Sequence, residues 1–173
     1  MSKPQSVNTN ADSGQKTWLT PRRIVDALGP FDTDPCTPCF MPWRTATTMY
    51  NVFDDGTTAP WYGRVWLNPP YGREAVPFMR RMAEHPGGGV ALVFARTETK
   101  LWQELVFPVA RAVLFVAGRL RFCHADGTEG ESATAPSALI AYSARDVAAL
   151  ANSGIEGFIV YLKPKGEQQD EQT

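Results

Sequence analysis

Four runs of this chain are apolar at consecutive positions: "GGVALVFA" (Gly88–Ala95), "RAVLFVAG" (Arg111–Gly118), "APSALIAY" (Ala135–Tyr142) and "GFIVYL" (Gly157–Leu162). Successive side chains of a strand point to opposite faces, so a strand with one wet face alternates apolar and polar residues. These runs do not alternate, and a sheet built from them needs cover on both sides. Helical segments lie between the strands to supply it. "REAVPFMRRMAEH" puts Val76, Met79, Met82 and Ala83 on one side of a helix, "TKLWQELVFPVA" reads as helical up to Pro108, and "ARDVAALANSG" forms a further helix. Strand and helix in alternation predict an α/β fold: a mostly parallel sheet with flanking helices and an antiparallel C-terminal part.

The amino-terminal part extends the pattern. "LTPRRIVDALGP" reads as a short helix with Thr20 as N-cap, Pro21 at its first position, Ile24, Val25 and Leu28 on its apolar side, and Gly29-Pro30 as its stop. It leads into "FDTDP", a short strand, and "RVWLN" is the next. Between them, 36–62 is irregular and rich in proline, with Trp43 and Trp61 and no clean period. A loop of that length inside a domain is usually functional or mobile. After "GRLRF" comes a second loop, Cys123 to Pro136, of small and acidic residues. Sheets of this class bind ligands at the carboxyl ends of their strands. Asp34 and Asn68 both stand at such ends, which places them on one edge.

At 173 residues, 43% apolar and 20% charged, the chain suits one domain, expected over 17–163, with polar mobile tails over 1–16 and 164–173. It has no apolar run of membrane-spanning length and no hydrophobic leader, so a soluble cytoplasmic protein without membrane contact is expected. Three cysteines fit a reducing compartment. The formal net charge of -1 conceals an uneven distribution. From Thr17 to Gly63 there are 3 basic and 5 acidic residues, from Arg64 to Arg121 there are 9 and 4, and from Phe122 to Leu162 there are 1 and 5. A middle span of such sign can form a basic face on a neutral protein.

The stretch "RVWLNPPYGR" carries the chemistry. An apolar strand stops at Asn68, is stiffened by Pro69 and Pro70, and then presents Tyr71. Two prolines restrict φ at their own positions and bias the residue before each toward extended backbone, which aims the Asn68 side chain and the Pro69 carbonyl rigidly. Such a pair of acceptors suits an exocyclic amino group on a base, whose lone pair is delocalised into the ring. Accepting its two hydrogens draws the nitrogen toward a tetrahedral geometry, and no acidic, histidine or cysteine nucleophile is needed. The adjacent aromatic ring offers a stacking platform for a flipped base. A strand ended by a proline turn is the plain structural alternative.

NPPY at a strand end resembles the motif of amino-group DNA methyltransferases. Taken in order, "WLTPRRIVDALGPFDTDPCTP", "WLNPPYGR", "GVALVFARTET", "FVAGRLRF" and "APSALIAY" resemble the phage-type Dam, DNA N-6-adenine methyltransferase family, from about Trp18 to Tyr142. The resemblance implies a Rossmann-like fold, S-adenosylmethionine as cofactor, DNA as partner, and methylation of the adenine N6 amino group in a bacterial cell carrying a phage or prophage. It implies that Asn68, Pro69, Pro70 and Tyr71 form the catalytic motif, and that Thr20, Pro21, Asp34, Pro35 and Cys36 form the cofactor pocket. "DPCTPCF" stands where the broader methyltransferase pattern has a glycine-rich loop. Recognition of DNA then falls to the irregular 36–62 segment and the Arg119 to Pro136 hairpin, with Arg73, Arg119 and Arg121 as DNA contacts. Cytosine N4, RNA or protein methylation, or a silent binding module on the same fold, are the alternatives.

Other features support weaker readings. Cys36 and Cys39 have C-x-x-C spacing, but a zinc site lacks two well-placed further ligands and Pro38 and Pro42 interrupt the helix that a redox pair needs, so buried ordinary cysteines and no metal are expected. His85 and His124 show no ligand spacing. Asp54 and Asp55 fit either a cofactor ribose or adenine contact or a solvated turn. Arg119 and Arg121, read as alternating on one strand, share a face that suits either salt bridges or phosphates.

Overall fold

The computed structural model describes residues 18–165. The expected tail at 1–16 lies outside the described residues, as does the one at 164–173 apart from Pro164 and Lys165. In chain order the elements are α1 (Arg22–Leu28), β1 (Thr33–Asp34), β2 (Thr48–Met49), β3 (Val65–Leu67), α2 (Ala75–Glu84), β4 (Gly89–Phe94), α3 (Lys100–Leu105), β5 (Ala112–Val116), β6 (Arg121–Cys123), β7 (Glu129–Ser132), β8 (Ser137–Ala141), α4 (Ala144–Asn152) and β9 (Gly157–Tyr161). A 3₁₀ turn, Gly72–Glu74, precedes α2.

Seven strands form one sheet in the order β2-β1-β3-β4-β8-β5-β9, and β6 pairs with β7 apart from it. The pairs β1 with β2, β1 with β3, and β3 with β4 are parallel; β4 with β8, β5 with β8, and β5 with β9 are antiparallel. The sheet is thus mixed. β8 returns between β4 and β5 and reverses direction there, which makes the carboxyl-terminal half antiparallel.

Both faces are covered over β3, β4, β5 and β8, as unbroken apolar runs require, but the edge strand β9 departs from that expectation and leaves Phe158 and Tyr161 exposed. Val65 and Leu67 of β3 pack with Phe78, Met79, Met82 and Trp102 of α2 and α3, while Trp66 packs with Ile24, Val25 and Leu28 of α1 and Leu150 of α4. The buried side of α2 is Ala75, Phe78, Met79 and Met82, and Val76 and Ala83 are only half-buried. α3 ends at Leu105, ahead of Pro108. Behind the sheet, Arg64 and Asp146 form an ion pair at 2.5 Å, with side chains 3% and 0% exposed. Asp146 also accepts from the Gly89 amide at 2.7 Å, and Arg64 donates to the Leu28 carbonyl at 2.6 Å, so the pair ties α1, β3, β4 and α4 together. Arg64 therefore adds nothing to a basic surface.

Three expectations change. Pro21, not Thr20, occupies the N-cap position of α1, and no side chain caps it. The loop expected over Cys123 to Pro136 contains β7, which forms a hairpin with β6. Arg119 lies ahead of β6 and outside any strand, so strand alternation does not set the direction it shares with Arg121. The hairpin is pinned to the amino-terminal segment by reciprocal bonds of 2.8 Å between Leu19 and Cys123. Among the described residues no helix is long and apolar enough to cross a membrane.

Candidate active site

The chain leaves β1 for β2 on one side and leaves β3 for β4 on the other, so the strand order reverses between β1 and β3. Open α/β sheets place their ligand crevice at such a point, outside the carboxyl ends of the strands. Asp34 ends β1 and Asn68 follows β3, and both line one cleft of about 300 Å³ with Trp18, Thr20, Cys36 and Thr45. A neighbouring cleft of about 350 Å³ is walled by Pro35, Cys36, Val52, Asp55, Pro70 and Phe78. A third, of about 250 Å³, lies between Tyr71 and Phe94 on one side and Phe122, Glu131 and Ala133 of the hairpin on the other, with Trp18 shared with the first.

Asn68 is held by one end only. Its Nδ2 donates to the Thr20 hydroxyl at 3.0 Å, while its Oδ1 is buried without a partner. A buried acceptor left unmatched costs about 1–3 kcal/mol, so an open Oδ1 beside a cleft points to a donor supplied from outside. Pro69 and Pro70 are buried behind it, which fixes the backbone that carries the amide.

Asp34 is 3% exposed. Its carboxylate accepts from the Thr45 hydroxyl and from the Cys36 amide at 3.0 Å. Burial pushes its pKa up to about 6, against the lowering effect of those two bonds. Among the described residues no cation pairs with it. Burial and the Asp34 charge together push the Cys36 thiol well above its ordinary value, so it stays neutral. Cys39 is exposed, contrary to the expectation of buried cysteines, while Cys123 is buried. Among the described residues no cluster of three metal-binding side chains occurs.

Tyr71 stacks on Phe94 with ring centroids 4.1 Å apart and planes 7° from parallel. Burial raises its phenol pKa, keeping it neutral. The wall of the second cleft is anchored from α2: Arg81 donates to the Thr57 carbonyl at 2.9 Å and lies over the Trp61 ring, whose Nε1 donates to the Gly56 carbonyl at 2.9 Å. Asp55 lines that cleft and accepts from Thr57, which lowers its pKa; Asp54 accepts from the Asn51 amide in a turn.

Of the residues singled out by sequence, Thr20, Asp34, Cys36 and Asn68 come together in one cleft, Pro35 and Pro70 wall the second, and Tyr71 walls the third. Pro21 starts α1 and lines none of the three. Arg73, Arg119 and Arg121 are exposed, and Arg121 pairs with Glu129 at 2.9 Å. Trp18, Thr45 and Phe94 were not foreseen. Phe94 ends β4, and the same carboxyl-edge rule that located Asp34 and Asn68 would have found it.

Fold and site together define an α/β chain with an NPPY corner, its two prolines buried, at the carboxyl edge of its parallel strands. The family model for Dam, DNA N-6-adenine-methyltransferase, matches residues 7–152, and the chain belongs to that family. No curated protein and no solved structure matched the chain.

Proposed function

We propose that the protein transfers a methyl group from S-adenosylmethionine to the N6 amino group of adenine in DNA, on a Rossmann-like methyltransferase fold. The observation that carries this reading is the Asn68 side chain, fixed through Nδ2 and open at a buried Oδ1. The residues present suit the cofactor. Asp34, a buried carboxylate with no cationic partner among the described residues, matches a ligand bearing positive charge, and the apolar walls Pro35, Val52 and Phe78 match an adenine ring, with the Asp55 oxygens near for ribose hydroxyls. When bound, S-adenosylmethionine supplies an electrophilic methyl group.

The chain's own residues then act on the base. Tyr71, backed by Phe94, receives the face of an adenine turned out of the duplex into the third cleft. Asn68 Oδ1 and the Pro69 carbonyl accept the two amino hydrogens, which withdraws the nitrogen lone pair from ring conjugation and leaves it free to attack. Thr20 keeps the amide from turning its donor end toward the base. As the nitrogen bonds to the donated methyl group, that group would part from the sulfonium sulfur, and the surplus amino proton would pass to water.

The test is incubation of the purified protein with unmethylated DNA and methyl-labelled S-adenosylmethionine. Label in DNA is expected; label bound by the protein but absent from every DNA offered would overturn the reading in favour of a silent binding module.

A further inference from the structure

Among the described residues six large hydrophobic side chains stand exposed, and four of them, Phe40, Val52, Phe53 and Tyr62, belong to the irregular segment that walls the first two clefts. Phe40 is 84% exposed. Pro38 and Met41 line the cleft that holds Asn68, so Phe40, between them, stands on its lip. Two residues further on, Pro42 and Trp43 abut the turn of the hairpin: a Cβ at Gly127 would stand 2.9 Å from Pro42 and 3.1 Å from Trp43. The hairpin carries Phe122, Glu131 and Ala133, which wall the cleft facing Tyr71. The loop that bears Phe40 thus runs from the Asn68 cleft to the turn of the hairpin whose strands wall the Tyr71 cleft. Pro38 and Pro42 restrict φ at their own positions on either side of Phe40, whose ring stands out from the surface.

A base that reaches Asn68 must leave its stack, and the duplex it leaves has a gap. Proteins that unstack DNA commonly fill such a gap with an apolar wedge. The hairpin turn is less suited to it: of His124, Ala125, Asp126, Gly127 and Thr128 the one aromatic ring, His124, packs 5.2 Å from the Trp18 ring, and the Asp126 carboxylate faces solvent. Phe53, although 87% exposed, follows Val52 on the wall of the second cleft, which shares no wall residue with the Tyr71 cleft.

We propose that Phe40 is the wedge that enters duplex DNA in place of the flipped adenine and stacks on the bases left behind. This rests on the DNA-methylation reading above. Stacking of an aromatic side chain on a base is a contribution that alanine substitution reduces by about 10- to 100-fold in binding terms.

Once the methylated position is mapped, two oligonucleotide duplexes carrying that site test the wedge: one fully paired, one with an abasic residue opposite the target adenine. In the second the target base is already unpaired, so less help is needed to expel it. Phe40→Ala is expected to lower kcat/KM on the paired duplex by 10-fold or more and to stay within about threefold of the parent on the abasic duplex, with Phe40→Trp restoring the paired substrate. Phe53→Ala is expected to leave the ratio between the two substrates unchanged. Unchanged affinity for S-adenosylmethionine in Phe40→Ala checks that the variant is folded and the cofactor cleft intact. An equal loss on both duplexes, or no loss on either, overturns the wedge while the methyltransferase reading stands. A parent protein that methylates no DNA overturns both.

Discussion

The Thr20 hydroxyl accepts a 3.0 Å hydrogen bond from Asn68 Nδ2 across 48 positions of sequence, and it is this contact that leaves Asn68 Oδ1 open. Thr20→Val removes the acceptor and lets the amide rotate. Turnover is expected to fall about tenfold, the share of an oriented hydrogen bond, with cofactor affinity within a few fold. Steady-state kinetics beside calorimetric titration with S-adenosylmethionine separates the two effects. Unaltered kcat would remove Thr20 from the positioning of the amide.

Asp34 is buried with its pKa raised to about 6, chiefly by loss of solvent. A raised carboxyl favours the folded state most fully below its unfolded value of 3.8, and this favour is lost as pH rises through about 6. At pH 7.5 the ionised group therefore costs up to roughly 3 kcal/mol of stability. Asp34→Asn is expected to raise the melting temperature at pH 7.5 and to leave it nearly unchanged at pH 4. The same variant is expected to bind S-adenosylmethionine at least tenfold more weakly at pH 7.5, and the parent's affinity is expected to fall as pH drops below about 6. A parent affinity independent of pH from 5 to 8 would separate Asp34 from the cofactor.

On the proposed reading Tyr71 acts by its ring: burial keeps its phenol neutral and the ring stacks on Phe94. Tyr71→Phe is expected to keep methyl transfer within about threefold, whereas Tyr71→Ala loses both the platform for the base and a stacking contact of about 0.5–1.5 kcal/mol. Comparing kcat/KM for the two variants checks this. A Tyr71→Phe variant as weak as Tyr71→Ala would assign the work to the hydroxyl.

The Arg121–Glu129 pair is 58% and 65% exposed, so it contributes little and leaves Arg121 able to exchange Glu129 for a phosphate. Affinity for DNA is expected to fall steeply with salt, and Arg119→Ala combined with Arg121→Ala to lessen the slope of log K against log salt by about one to two. Fluorescence anisotropy over a salt series reads it. An unchanged slope would make both arginines partners of the protein's own acids.

β4, β5 and β8 were readable because burial on both faces writes itself locally, as an unbroken apolar run, while β9 carries the same kind of run at the sheet's edge with Phe158 and Tyr161 exposed. Asn68-Pro69-Pro70-Tyr71 was readable for a similar reason, since two prolines dictate backbone at their own positions. Thr20 misled: Thr followed by Pro has the local form of a helix start, but a hydrogen bond to a residue 48 positions away claimed its hydroxyl. β7 was hidden because Glu129, Gly130 and Ser132 have weak strand preference and become a strand only by pairing with β6. Trp18 was hidden for the same kind of reason. Its place in the site depends on the bonds between Leu19 and Cys123, which no local pattern announces.

Asn68 is proposed to act on an adenine amino group, and nucleoside composition by mass spectrometry decides it. DNA treated with the parent protein or with Asn68→Ala, at cofactor concentrations that saturate both, is digested and its modified nucleosides are identified and counted. N6-methyladenine is expected from the parent and about 100- to 1000-fold less from the variant, the loss of one acceptor preorganised toward the transition state. Methylated cytosine from the parent would contradict the substrate, and N6-methyladenine formed at the parent rate by Asn68→Ala would contradict the mechanism.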